Sequence, residues 1–193
     1  MTTMTQDTGL SLRLALEADL ERLSALMHAA IGELQAPFLT PEQVAASYSV
    51  MGLDTQLVAD RTYFAVELGA DIVGCGGWSR RATLFGGDHS ENRDAALLDP
   101  TKDAARVRAM YTRPGYARRG IGRMILDACE AAAAAEGFGS CELAATLSGE
   151  PLYLAGGYRQ IERFSAETPQ GVSVPLVRMG KLLAGGRTGA PKG

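Results

Sequence analysis

The 193-residue chain sets 19 Lys and Arg against 22 Asp and Glu, a net charge of −3, with 46% apolar and 21% charged residues. That balance fits one soluble globular domain with a sizeable core and excludes global disorder. No apolar run reaches the roughly 18 residues of a bilayer span, no basic-then-apolar leader opens the chain, and the mild acidity argues against a dedicated nucleic-acid binder.

A polar lead over residues 1–9 precedes residues 10–16, where Leu10, Leu12, Leu14 and Leu16 alternate as in a half-buried strand. A helix comes next on the stripe Leu20, Leu23, Met27 and Ile31, with Asp19 as an N-cap or first-turn acid and Gly32 as its stop. Thr40-Pro41-Glu42-Gln43 reads as an N-cap with Pro at the first helical position, opening a short helix near 41–49. Residues 62–67 and 72–78 are strands joined by the Gly-bearing link Leu68-Gly69-Ala70-Asp71, hence a hairpin. The run Gly74-Cys75-Gly76-Gly77 has no helix behind it and marks a close approach by backbone or ligand.

Residues 80–104 form a long polar stretch of mixed charge, a length that in a compact domain points to function or mobility. Beyond it the pattern predicts a strand at 106–112, a helix at 119–136, a strand at 138–145, a short helix at 151–155, and paired strands at 158–166 and 172–179. Pro175 cannot donate to a ladder, so the last strand should be unpaired or bulged there. Residues 184–193 read as a frayed tail.

Cys75, Cys129 and Cys141 are odd in number and widely spaced, which favours reduced thiols and a cytoplasmic location. No Cys has an evident activating base nearby in sequence, so all three read as small buried hydrophobes. His28 and His89 stand at no metal-ligand spacing, and no metal is expected.

The stretch that carries chemistry is 111–126. A strand ends near Thr112, Pro114-Gly115 breaks the chain, and Arg118-Arg119-Gly120-Ile121-Gly122-Arg123 enters a helix. The first helical turn offers free N–H groups and the positive end of the dipole. Gly120 and Gly122 keep side chains out of the way, and Arg118, Arg119 and Arg123 add charge, a combination suited to a pyrophosphate. Competing readings are a simple tight turn, a solvated helix start, or a nucleic-acid contact through Arg113, Arg118, Arg119 and Arg123. The Walker and dinucleotide glycine patterns are both incomplete here.

Residues 105–160 resemble the acetyl-CoA-binding core of the GNAT superfamily of N-acetyltransferases. Ala117-Arg118-Arg119-Gly120-Ile121-Gly122 matches that family's [RQ]-x-x-G-x-[GA] turn at both glycines and departs at Ala117. Leu152-Tyr153-Leu154-Ala155-Gly156-Gly157-Tyr158 resembles its second signature, Leu-Tyr-x-x-x-Gly-[FY]. The resemblance implies an α/β (α+β) fold, a mixed, mostly antiparallel sheet of about seven strands flanked by about four helices, as a single domain over 10–183. It implies that the fourth strand is bulged and splays from the fifth, with pantetheine in the split against Met110 and Thr112, pyrophosphate on the 118–123 amides, and Ser148 near the pantetheine arm. Tyr153 would be the acid for the departing thiolate, and a backbone N–H of Met110 or Tyr111 would polarise the thioester carbonyl.

The activity this resemblance implies is transfer of an acetyl group from acetyl-CoA to a primary amine of a small molecule or protein, by direct attack in a ternary complex. A non-catalytic acyl-CoA sensor is the alternative. Glu142, Glu33, Asp88 and His89 are open as the general base. The acceptor pocket is expected from 33–38, Tyr48, 78–85 and the 80–104 stretch, with Trp78 and Phe85 as an apolar wall and Asp88 and Glu91 as ammonium attractors. A homodimer is expected by analogy; neither nucleic acid nor membrane is expected as a partner.

Overall fold

A computed structural model describes residues 9–91 and 93–184. The expected N-terminal lead and C-terminal tail lie outside the described residues, apart from Gly9 and Ala184. Seven strands form one sheet in the order β1-β2-β3-β4-β5-β7-β6. They are β1 Leu10–Leu14, β2 Tyr63–Leu68, β3 Asp71–Ser79, β4 Ala105–Thr112, β5 Ser140–Thr146, β6 Arg159–Glu167 and β7 Ser173–Leu182. Every neighbouring pair is antiparallel except β4 and β5. Five α-helices complete the described fold: α1 Leu20–Leu34, α2 Pro41–Val50, α3 Thr55–Ala59, α4 Ile121–Ala135 and α5 Glu150–Ala155.

The alternation in each strand divides the core between the two faces of the sheet. On one face Ile121, Ile125 and Cys129, spaced a turn apart on α4, pack with Val73, Val107, Leu143 and Met179. On the other, Leu23 and Met27 of α1 meet Ala65 and Cys75, while α2 covers Val174 and Leu176 through Ala46 and Val50. Burying one such Leu, Met or Ile is worth about 1.5–3 kcal/mol, and these stripes hold the helices against the sheet.

Several sequence expectations need correction. Helix α1 does not stop at Gly32 but runs to Leu34. A Cβ at Gly32 would stand 2.7 Å from the Tyr48 hydroxyl, so this glycine serves the contact between α1 and α2. Asp19 does occupy the N-cap of α1, but its carboxylate makes no capping bond; it accepts from Leu16 N at 2.8 Å and from Arg13 at 2.6 and 2.9 Å. The Arg13 guanidinium holds its carboxyl below the usual range. The short helix α3 carries too few residues for its periodicity to register in the sequence. Trp78 faces the α4 side, edge-on to Phe138 with ring centres 6.0 Å apart, and is no wall for an acceptor. Pro175, as expected, leaves one side of β7 unpaired: it pairs with Ser165 of β6 but lies just past the last β5–β7 pair, Thr146 with Leu176.

The described residues of 80–104 contain no helix or strand segment beyond an isolated Arg81–Leu97 bridge, yet they are firmly tied down. Arg81 pairs with Asp60 at 2.7 Å, Arg80 donates to Glu136 at 2.8 Å, and Arg93 pairs with Asp54 at 2.7 Å. The stretch therefore forms a fixed wall beside the sheet.

Candidate functional site

Strands β4 and β5 share only two register pairs, Ala105 with Cys141 and Arg106 with Glu142. Beyond them β4 continues with β3, and β5 continues with β7 up to Thr146. The two strands thus part, and from Val107 onward the β5-facing backbone edge of β4 has no strand partner. A cleft opens there, lined by Val107–Tyr111 of β4, Ala144 and Thr146 of β5, and Tyr153 of α5.

A bulge shapes the β4 side. Gly77 opposes Arg108 and Cys75 opposes Tyr111, so one residue of β3, Gly76, faces two of β4, Ala109 and Met110. Ala109 takes φ +50°, a left-handed conformation costly for a residue with a Cβ. Two features hold it. The buried Tyr63 hydroxyl donates to Ala109 O at 2.6 Å. Opposite, a Cβ on Gly76 would fall 2.3 Å from Met110 Sδ and 2.9 Å from Ile125, so only glycine leaves room. The close approach expected along Gly74–Gly77 is made by β4 and α4 at Gly74 and Gly76, where a Cβ on Gly74 would run into Ile121, and by Tyr63 of β2 at Gly77, 2.7 Å from a Cβ there.

The opening of α4 stands at the end of β4. Gly120 occupies its N-cap with φ +83° and gives no side-chain cap, no acidic residue sits in the first turn, and a Cβ there would meet nothing. Its first N–H groups are free to meet an anion. Arg118, itself at φ +63°, and Arg119 are exposed beside it. Tyr116 lies between two arginines, 4.9 Å from the Arg119 guanidinium and 5.8 Å from that of Arg113, so its ring orders the turn. Arg123 points away, pairing with Asp127 at 2.8 Å and donating to Ala155 O at 3.3 Å. Gly122 serves packing: a Cβ would stand 2.8 Å from Leu152, so its absence seats α5 against the opening turn of α4.

That seating brings Tyr153 to the cleft. It is 7% exposed, its ring meets Tyr158 edge-on at 5.9 Å, and its hydroxyl bonds to no described residue. Burial pushes its phenol well above the usual value, so it is a neutral donor at any working pH. Ser148 lies in the turn before α5, with its Oγ 3.1 Å from Thr146 Oγ1. Met110 and Thr112 belong to the free β4 edge.

The four base candidates do not converge. Glu142 accepts from Arg106 at 2.8 Å and from Arg178 at 2.7 Å, where β4 and β5 are still joined. Glu33 is exposed on α1. Asp88 accepts from Thr55 N at 3.1 Å and from Arg93 at 3.2 Å. His89 Nε2 lies 2.7 Å from Tyr48 O, which can only accept, so this nitrogen carries the proton. His89 and Glu91 line a second groove, which shares Val50, Leu84 and Phe85 with the cleft and also holds Phe164, 5.8 Å from Phe85. All three cysteines are buried, and burial pushes the Cys75 and Cys141 thiols up to about 12.

Sequence reasoning missed Arg108 and Asp54. Arg108 precedes the bulge, lines the cleft and is 5% exposed; its Nη1 lies 2.7 Å from Asp54 Oδ2, poorly aligned as a hydrogen bond but in direct charge contact. It also donates to Gly86 O. A buried arginine on a strand of otherwise ordinary alternation was the one available signal.

A sequence model of the acetyltransferase (GNAT) family matches residues 25–153. No curated protein matches the sequence. Among solved structures, the GCN5-related N-acetyltransferase from Rhodopseudomonas palustris superposes with TM-score 0.66 at 22% identity, over 90% of this chain and 95% of its own. The PaiA N-acetyltransferase of Thermoplasma acidophilum, in complex with coenzyme A, gives 0.61 at 15% identity over 90% and 98%. YncA of Salmonella typhimurium, solved with acetyl-CoA, gives 0.61 at 13% identity over 95% and 98%. At these identities the likeness is one of fold.

Proposed function

The chain belongs to the acetyltransferase (GNAT) family, and on that premise we propose that it is an acetyl-CoA-dependent N-acetyltransferase acting on a primary amine by direct attack. Residues 10–183 are its single catalytic unit, and the cytoplasm is its place of work. The observation that carries this reading is the parting of β4 from β5 after Arg106 and Glu142, with Tyr153 in the opening and the uncapped start of α4 at its end.

The residues fit the co-substrate. The first-turn amides of Ile121, Gly122 and Arg123, with Gly120 open beside them, receive the pyrophosphate; Arg118 and Arg119 add charge. Arg123 contributes its backbone rather than its guanidinium, which is engaged with Asp127. Backbone groups of Met110 and Thr112 on the free edge pair with the pantetheine amides as a neighbouring strand would. Ser148 stands near that arm. The N–H of Met110 or Tyr111, aimed by the bulge, receives the developing oxyanion.

Acetyl-CoA supplies an activated thioester carbonyl. The neutral amine enters through the groove past Phe85 and attacks it, and the C–S bond breaks as the N–C bond forms. Tyr153 gives its proton to the leaving sulfur, and the proton shed by the amine returns the phenol through solvent. The buried, protonated thiols speak for this route over a cysteine acyl-enzyme. Release of CoA thiol in the presence of an amine panel tests the reading. Amine-dependent release supports it; binding of acetyl-CoA with no turnover on any amine, and no effect of Tyr153→Phe, favours a sensor.

A further inference from the structure

Beside the cleft, Arg108 and Asp54 each keep a buried polar atom with no hydrogen-bond partner among the described residues, and that of Arg108 is a donor. Arg108 is almost wholly buried; its Nη1 is in charge contact with Asp54 Oδ2 at 2.7 Å, and its Nη2 donates to the carbonyl of Gly86. Its Nε is buried without a hydrogen-bond partner among the described residues. Buried N–H donors are nearly always paired, and one left bare in a ligand cleft marks where a ligand atom belongs. The neighbouring charges are balanced by ion pairs: Asp54, whose Oδ2 accepts no hydrogen bond among the described residues, also pairs through Oδ1 with Arg93 at 2.7 Å, and Arg93 with the half-exposed Asp88 at 3.2 Å. The remaining donor therefore calls for an oxygen, as carbonyl or carboxylate, rather than for a second ammonium group.

Its position says which oxygen. Arg108 directly precedes the bulge residues Ala109 and Met110, and all three line the same cleft as Tyr153. An oxygen held at Arg108 and an amine presented to the bulge must therefore sit close together on one small molecule or chain end. The apolar walls Leu84 and Phe85 flank the same space. We infer that Arg108 is the specificity-determining residue for the acceptor: its Nε–H receives the oxygen on the carbon next to the reacting amine, so the acceptor is an α-amino acid or the first residue of a peptide, with an apolar side chain. This deepens the acetyltransferase reading and rests on it.

Three matched acceptors separate the possibilities: phenylalanine, phenylalanine amide and phenethylamine, assayed by CoA release with the wild-type chain and with Arg108→Lys. Lysine keeps the charge that Asp54 needs but cannot place a donor where Nε stands. For the wild type, kcat/KM for phenylalanine or its amide should exceed that for phenethylamine by at least about tenfold, because a site built to bond an oxygen rejects the analogue lacking it. A higher value for the free acid identifies an amino acid as the source of the oxygen, and an equal or higher value for the amide identifies a peptide terminus. In Arg108→Lys the preference should collapse to within about threefold through the acceptor KM, while calorimetric affinity for acetyl-CoA stays unchanged. Equal rates on all three acceptors in the wild type, or a preference that survives in Arg108→Lys, would overturn the role of Arg108 alone. Failure of the wild type to bind acetyl-CoA would instead overturn the reading of the cleft, and this inference with it.

Discussion

The Tyr63 hydroxyl donates to the carbonyl of Ala109 at 2.6 Å, tying a core residue of β2 to the one alanine of β4 held at φ +50°. Through that bond the bulge, and the amide it aims into the cleft, is set from beneath the sheet. Tyr63→Phe should cost about 1–3 kcal/mol, since the carbonyl is left buried and unpaired. For a chain of this size that is a fall in Tm of roughly 2–12 °C. The activity assay should show kcat falling more than acetyl-CoA affinity, as expected when a transition-state donor moves and the ground-state contacts stay.

Gly76→Ala tests the same bulge from the opposite strand. Its new Cβ would meet Met110 Sδ at 2.3 Å and Ile125 at 2.9 Å. Met110 can turn aside, but Ile125 is fixed in the core, so a loss of about 1–3 kcal/mol is expected by denaturant titration. Acetyl-CoA affinity should drop as well, because Met110 belongs to the edge on which pantetheine is proposed to pair.

Tyr153→Phe removes only the hydroxyl. The ring stays packed on Tyr158, so the Tm should change little, while kcat falls roughly 10²-fold or more. An unchanged kcat would take Tyr153 out of the chemistry.

The buried thiols predict an alkaline limit to stability. Cys75 and Cys141 are raised from 9.0 to about 12 in the fold. Below pH 9 both states hold the protons and the contribution is intact. As pH rises from 9 towards 12 the unfolded chain releases protons that the native state keeps, so stability falls by about 1.4 kcal/mol per group per pH unit. Denaturant midpoints should be level from pH 7 to 8.5 and decline above 9. With a thiol reagent at pH 8, none of the three cysteines should react in the native chain and all should react in denaturant.

Period-two and period-3.6 patterns made most strands and helices legible in the sequence, and the paired glycines at 120 and 122 marked the helix start. What pairing order produces was not legible. The parting of β4 from β5 depends on pairing between strands far apart in the chain, which no local pattern carries, so only the family resemblance announced it. Gly32 and Gly122 read locally as a stop and as phosphate clearance, yet both leave room for a side chain from another helix, Tyr48 and Leu152. The stretch at 80–104 reads as loose because its anchors, Asp54, Asp60 and Glu136, lie far away in the chain. Arg108 was hidden for the same reason, since its partner sits at the start of α3.

Titration of the chain with acetyl-CoA in a calorimeter, run beside Gly120→Asp, tests the central claim most directly. The substitution puts a β-carbon and a carboxylate at φ +83° on the uncapped start of α4, where the diphosphate is proposed to rest. Saturable one-to-one heat is predicted for the wild type, lost in Gly120→Asp while the Tm shows the variant still folded. Absence of heat with the wild type, or equal affinity in the two proteins, would contradict the claim.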